Sequence, residues 1–219
     1  SSPGTYTLNV TGANGCWSSD SVVVTQDIAP PSVEAGPAKQ LTCNVTSVLL
    51  DATVTGGTSP FTYSWTNSTH QVVGNTEDIN VSSPGTYTLN VTGANGCWST
   101  DSVIVTQDIS LPSVNAGPDK QLTCNVTSVL LDATVSGGQT PYTYSWKNSS
   151  NVTVGATQDI TVTSPDTYTL TVTGANGCSN SDSVVVTQNI SVPSVNAGPD
   201  KELTCNVTSV LLDATVSGG

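Results

Sequence analysis

The sequence predicts an all-β protein made of tandem antiparallel β-sandwiches, and three observations carry that prediction. The segment TYTLNVTGANGC occupies residues 5–16 and 86–97 and returns as TYTLTVTGANGC at 167–178, a step of 81 residues each time. A second marker, LTCNVTSVLLDATV, starts at Leu41, Leu122 and Leu203 with the same step. Between these markers apolar residues alternate at period two and are broken by Gly, Pro, Asn and Ser, while no segment has a helical period. A fixed long period is the signature of a repeat architecture, in which each copy is one structural unit.

The 219 residues hold two complete copies, at 31–110 and 111–191. Residues 1–30 read as the last strands of a preceding copy and 192–219 as the first strands of a following one. The sequence therefore reads as a window on a longer array, in which a missing leader segment has no meaning.

Within residues 31–110 the elements follow in order. SVEAGPAKQLT predicts a first, irregular strand interrupted at Gly36-Pro37. Val48–Val54 alternates, with Val48, Leu50, Ala52 and Val54 on one face, and Gly56-Gly57 turns the chain. FTYSW places Phe61, Tyr63 and Trp65 on one face and Thr62 and Ser64 on the other. QVVG and EDINV are short strands, and Pro84-Gly85 is a turn. TYTLNV directs Tyr87, Leu89 and Val91 inward. Asn95-Gly96 is the dipeptide of a type I′ hairpin turn, and a last strand at residues 102–107 closes the unit. About seven short strands with regular turn signals describe a β-sandwich.

Three positions make the unit resemble the immunoglobulin-like fold. Trp65 stands where a buried strand-C Trp would stand, and Tyr87, after Ser83-Pro84-Gly85, where a tyrosine corner would. Leu50 and Leu89 take the places of the inter-sheet cysteines of antibody domains. The run AGPDKQLTC, YSW, TYTLTVTGANGC and DSVVVTQ is similar to the PKD-like and immunoglobulin-like repeats of secreted Bacteroidetes surface proteins, among them gliding adhesins of the SprB type. This resemblance covers the whole chain. It implies immunoglobulin-like (PKD-like) sandwiches in a rod, outside the cell.

Composition points to the same compartment. Charged residues are 9% of the chain, with 4 Lys, 16 acids and a net charge of −12. Such a surface repels a phosphate backbone and excludes nucleic acid as a partner. No apolar run in this window approaches the length of a membrane span. Six cysteines, two per copy, in a chain rich in Ser and Thr indicate disulfides and an oxidising environment.

The pairing of Cys16, Cys43, Cys97, Cys124, Cys178 and Cys205 stays open at the level of sequence. If the resemblance holds, Cys43 lies before strand B and Cys97 beyond strand F, and these strands run in the same direction. The two cysteines then sit at opposite poles, on the order of 30–45 Å apart, whereas a disulfide needs Cα atoms within about 7 Å. That favours a bond between repeats, Cys43 to Cys178, leaving Cys16, Cys97, Cys124 and Cys205 for partners outside the window. Pairing within a repeat, Cys43–Cys97 and Cys124–Cys178, and bonds to another chain are the alternatives.

Catalysis is not expected. The one histidine, His70, is Asn151 in the next copy, and Glu77-Asp78 becomes Gln158-Asp159. No acid/base set recurs, no CxxC pair offers a zinc site, and no cofactor is implied. Calcium is the one metal left open, through Asp27, Asp108, Asp119 and Asp200, although Asp108 becomes Asn189 and Ala38 stands in the place of Asp119. Glycan attachment has two signals. Ten N-x-S/T sequons include Asn44 and Asn125. Asp-Ser-Val at 20–22, 101–103 and 182–184 looks like a Bacteroidetes O-glycosylation motif, which implies sugar on Ser21, Ser102 and Ser183. Trp17 and Trp98 follow the hairpin cysteine and are expected either to pad a contact between units or to stack on sugar.

The expected function is a structural array giving reach, mechanical continuity and adhesion, as an extracellular stalk or filament of a bacterial surface protein. Its expected partners are neighbouring repeats, further copies of the chain and glycans. The alternative is a carbohydrate-binding array with Trp17 and Trp98 as platforms.

Overall fold

A computed structural model describes residues 2–219. Every element is a strand, and no helix among the described residues is long and apolar enough to cross a membrane. Contacts gather into two compact units, Ser1–Asp108 and Ile109–Gly219.

The first unit opens with a hairpin of β1 (Gly4–Thr11) and β2 (Trp17–Val24). Nine strands follow: β3 (Pro31–Glu34), β4 (Lys39–Thr42), β5 (Val48–Leu50), β6 (Thr53–Gly56), β7 (Thr62–Thr66), β8 (Val72–Gly74), β9 (Ile79–Val81), β10 (Gly85–Thr92) and β11 (Trp98–Asp108). One sheet has the order β4-β11-β10-β7-β8, and its inner face is covered by the pairs β3-β6 and β5-β9. All pairs are antiparallel except β4 with β11, which run parallel from Val105↔Lys39 to Asp108↔Thr42.

The second unit repeats this plan. Its strands are β12 (Pro112–Asn115), β13 (Lys120–Thr123), β14 (Val129–Leu131), β15 (Thr134–Gly137), β16 (Thr143–Lys147), β17 (Thr153–Gly155), β18 (Ile160–Val162), β19 (Asp166–Thr173) and β20 (Ser179–Asn189). They form the sheet β13-β20-β19-β16-β17 and the pairs β12-β15 and β14-β18. A further pair, β21 (Ser194–Asn196) with β22 (Thr215–Ser217), ends the chain.

The alternation read from the sequence builds the core. Leu50, Trp65, Leu89, Val91, Val103 and Val105 are buried together with Leu41 and Tyr87. Their counterparts Leu131, Trp146, Leu170, Val172, Val184 and Val186 do the same in the second unit. Leu50 and Leu89 therefore fill with hydrocarbon the space that an inter-sheet disulfide fills in antibody domains. Each buried Trp satisfies its indole N–H: Trp65 Nε1 donates to the Glu77 carbonyl at 3.0 Å, and Trp146 Nε1 to that of Gln158 at 3.0 Å. Tyr87 donates its hydroxyl to the Ser83 carbonyl at 2.9 Å and Tyr168 to that of Ser164 at 2.9 Å. These are tyrosine corners.

Two local readings need correction. Val48–Val54 is not one strand: β5 pairs with β9 and β6 pairs with β3, with a break at Asp51-Ala52. The cause is Gly36, whose backbone passes so close to the Asp51 carbonyl that a Cβ would lie 2.5 Å from that oxygen, at a φ of 85°. The other is the turn at Asn95-Gly96. A type I′ turn needs positive φ at both central residues, but only Gly96 has it, at 78°. The Gly96 N–H donates instead to the Gly93 carbonyl at 2.9 Å, Gly93 N–H donates to the Cys97 carbonyl at 2.9 Å, and Asn95 Oδ1 accepts from the Cys97 N–H at 3.1 Å. The asparagine acts through its side chain, as an Asx turn does.

Substitutions should separate packing from hydrogen bonding. Leu89→Ala should lower stability by about 3 kcal/mol, as truncation of a buried Leu does. Tyr87→Phe should cost about 1 kcal/mol for the lost corner bond. Urea unfolding followed by Trp fluorescence checks both.

Candidate functional site: the loops at the ends of each repeat

The position of each cysteine follows from the β4–β11 ladder. Cys97 immediately precedes β11, whereas Cys43 immediately follows Thr42, which pairs with Asp108 at the far end of β11. Eleven residues of extended chain put the two at a separation of about 36 Å. No disulfide can span that distance. The second unit is the same, with Cys178 just before β20 and Cys124 just after Thr123, the partner of Asn189. Cys43 and Cys178 each take part in a disulfide. Cys16, Cys97, Cys124 and Cys205 are free thiols, with Cys97 half-buried and the others exposed.

The loop carrying Cys97 is fastened on two sides. Ala94 N–H donates to the Thr58 carbonyl at 2.8 Å, which ties it to the loop between β6 and β7. On the other side it meets the segment that follows β2. Asn95 Nδ2 donates to Asp27 Oδ1 at 3.1 Å and to the Ala29 carbonyl at 3.0 Å. Asp27 also accepts from the Ala29 N–H at 3.2 Å and from the Thr58 hydroxyl. In the second unit Asn176, which is buried, donates to the Ser110 carbonyl at 2.9 Å. These contacts were not legible in sequence, because nothing marks Asp27 as the acceptor of an amide 68 residues away.

The Thr58 hydroxyl above all, then the Ala29 N–H and the Asn95 amide, hold the Asp27 carboxyl below its ordinary value of 3.8. Hydrogen bonds to the charged form act in this direction. No group of three or more His, Cys, Asp or Glu converges among the described residues.

Other recurrent acids serve the backbone. Asp101 Oδ2 accepts from Ala35 N–H at 2.9 Å and Asp182 Oδ2 from Ala116 N–H at 2.9 Å. Asp78 accepts from Ala52 N–H and Asp159 from Ala133 N–H, each at 2.9 Å. His70 sits at φ 63° in the turn between β7 and β8, and Asn151 has the same φ in the second unit. Both are residue types that tolerate the left-handed region, so the shared feature of the two positions is conformational.

The surface candidates are exposed. Ser21, Ser102 and Ser183 point outward, each with its hydroxyl 2.8–2.9 Å from that of Thr7, Thr88 or Thr169. Asn44 and Asn125 are exposed in the turns after β4 and β13. Trp17 and Trp98 are 70% and 61% exposed, and Ser179 takes that position in the second unit.

The SprB repeat family matches residues 120–151. A mouse protein, the dyslexia-associated KIAA0319-like protein, is 32% identical over 154 residues, covering 61% of this chain and 15% of its own length. Among solved structures the chain is similar to the first eight immunoglobulin domains of Down Syndrome Cell Adhesion Molecule, at 14% identity and a TM-score of 0.40 over 89% of this chain and 28% of that one. It is also similar to the insect immune protein hemolin, at 13% identity and a TM-score of 0.40 over 84% and 56%. Fibronectin(III)-like modules of Clostridium thermocellum CbhA match at 11% identity and a TM-score of 0.36, over 72% and 94%.

The Asp27 cluster makes a pH prediction. A carboxyl whose pKa is depressed in the folded chain contributes stability above its unfolded pKa, and this is lost as pH falls through the folded value. The contact of Asp27 should therefore persist at neutral pH and weaken below about pH 4. Thr58→Ala removes the largest cause, so the Asp27 midpoint in a carboxyl-carbon NMR titration should move up towards 3.8.

Proposed function

We propose that the chain is a stretch of a structural array of SprB-like, immunoglobulin-like repeats, in an extracellular stalk or filament of a bacterial surface protein. Its role is reach, mechanical continuity and adhesion. The repeating units are 31–110 and 111–191, flanked by parts of their neighbours at 1–30 and 192–219. The observation that carries this reading is the contact of Asn95 with Asp27 and Ala29. It joins the loop of one repeat to the segment leaving the last strand of the repeat before it.

The same contact supports a covalent staple between repeats. Asp27 lies one 81-residue step before Asp108, and Cys43 stands beside Asp108 through the β4–β11 ladder. Asn95 is two residues from Cys97. The loop cysteine of one repeat is thereby brought to the end of the preceding repeat that holds its Cys43 equivalent. On this reading Cys43 is joined to Cys178, while Cys97 and Cys16 take partners from earlier repeats and Cys124 and Cys205 from later ones. A bond closing so long a loop restricts the unfolded chain by about 4–5 kcal/mol and gives force a second path across the junction. A non-reducing peptide map should contain a peptide pair linked through Cys43 and Cys178. A pair linked through Cys43 and Cys97 would defeat the assignment.

The exposure of Trp17 and Trp98 favours a second reading, a carbohydrate-binding array. A glycan array probed with the chain and with Trp98→Ala separates the two. Sugar binding lost in a folded variant selects the second reading, and no binding by either protein selects the first. Ser21, Ser102 and Ser183 are the proposed O-glycan sites. Mass spectrometry of native material should find hexose on a peptide spanning residues 101–103.

A further inference from the structure

The dipeptide Asn-Gly recurs in the same turn at 14–15, 95–96 and 176–177. It is the pair most prone to spontaneous deamidation, because glycine has no Cβ to shield its backbone nitrogen from the preceding side chain. In that reaction the Gly nitrogen attacks the Asn Cγ and forms a succinimide ring. The Cγ–Nδ2 bond breaks, and ammonia leaves with the proton from the Gly nitrogen. Water then opens the ring to aspartate or isoaspartate. No co-reactant other than water is consumed.

We propose that Asn95 is a latent modification site gated by its contact with the preceding repeat, and that its conversion releases that repeat. Three features hold it in check. The Gly96 nitrogen is engaged with the Gly93 carbonyl at 2.9 Å. Asn95 Oδ1 is held by the Cys97 N–H at 3.1 Å. Asn95 Nδ2, the group that must leave, is bound to Asp27 Oδ1 and to the Ala29 carbonyl. The first two bonds are also present around Asn14, where Gly15 N–H donates to the Gly12 carbonyl at 2.9 Å and Cys16 N–H to Asn14 Oδ1 at 3.2 Å. Asn14 is exposed, and Asp27 lies beyond the opposite end of β2 from it. The two sites thus share one turn and differ in what fastens it, the clamp on the Asn95 amide and the bond of Ala94 N–H to the Thr58 carbonyl.

Conversion also reverses the contact. Aspartate at 95 keeps an acceptor for the Cys97 N–H, so the turn survives, but it loses both donors and sets a carboxylate against that of Asp27. Isoaspartate adds a methylene to the backbone and breaks the turn. Either product removes the attraction that joins the loop to residues 27–29 and substitutes like-charge repulsion.

The test incubates the 219-residue chain at mildly alkaline pH and follows aspartate and isoaspartate by peptide mapping. Peptides extending past Ser19 and Thr100 distinguish the two sites. Asn14 should convert faster than Asn95 by about tenfold or more, because reaction at Asn95 awaits local opening. Asp27→Ala should raise the rate at Asn95 towards that at Asn14 and leave Asn14 unchanged. Equal rates at the two sites, or no response to Asp27→Ala, overturns the proposal. Asn95→Asp mimics the product and should increase limited proteolysis within residues 26–30. Unchanged proteolysis in Asn95→Asp overturns the release step. None of these readouts depends on how the cysteines pair.

Discussion

The passage of the first strand from one sheet to the other is the constraint on which each repeat depends. β3 pairs with β6 on one side, and β4 joins β11 on the other. Between them the chain must cross the edge of the sandwich, and Ala35-Gly36 does so. Ala35 is buried and its N–H needs an acceptor, which Asp101 supplies from the first half of β11. Gly36 lies so close to the Asp51 carbonyl that only glycine fits. Ala116, Gly117, Asp182 and Asp132 repeat the arrangement. Without this crossing β4 could not run parallel to β11, Cys43 would not stand beside Asp108, and the two cysteines of a repeat would not occupy opposite ends.

That geometry sets the two cysteines of a repeat at opposite ends of it. In a small sandwich a cystine usually crosses the core, joining the sheets. Here Leu50 and Leu89 occupy the crossing point and are almost fully buried, so apolar packing performs that task. The cysteines are thereby freed for the ends. Each repeat has one after its parallel edge strand and one in its hairpin loop. The proposed staple relies on this division, and so does the charge distribution at the loops, where Asp27 offers the anion and Asn95 the donors.

The fold was legible in the sequence because its determinants are local or periodic. Period two placed Tyr87, Leu89 and Val91 in the core. Trp65 and Tyr87 were readable as core because large aromatics with one polar atom are buried where a carbonyl can receive that atom. The junction was less legible. Asn-Gly suggested a backbone device, but Asn95 has an ordinary backbone and works through its amide, reaching Asp27, 68 residues earlier. The split of Val48–Val54 was hidden as well, since alternation continues across the break and only the approach of Gly36 causes it. Contacts between segments remote in sequence leave no periodic trace, and these lie at the ends, where the candidate site is.

Comparison of the copies separates what the sandwich requires from what it tolerates. Asp101 and Asp182, Asp78 and Asp159, and Asn95 and Asn176 are identical one step apart, and each bonds to backbone. His70 and Asn151 differ in chemistry but share a left-handed φ. Trp98 and Ser179 differ altogether, on an exposed face. The recurrence of Asp-Ser-Val therefore has a structural cause that is independent of glycosylation. Asp101 anchors Ala35, Ser102 meets the Thr88 hydroxyl, and Val103 enters the core. Repetition of that tripeptide follows from repetition of the sandwich, so attachment of sugar has to be argued from the exposure of the serine alone. The same reasoning strengthens the junction. Nothing inside an isolated sandwich requires the Asn95 amide nitrogen to face Asp27, because the turn needs only its oxygen. That nitrogen is taken up by Asp27 and the Ala29 carbonyl, in the segment that follows β2.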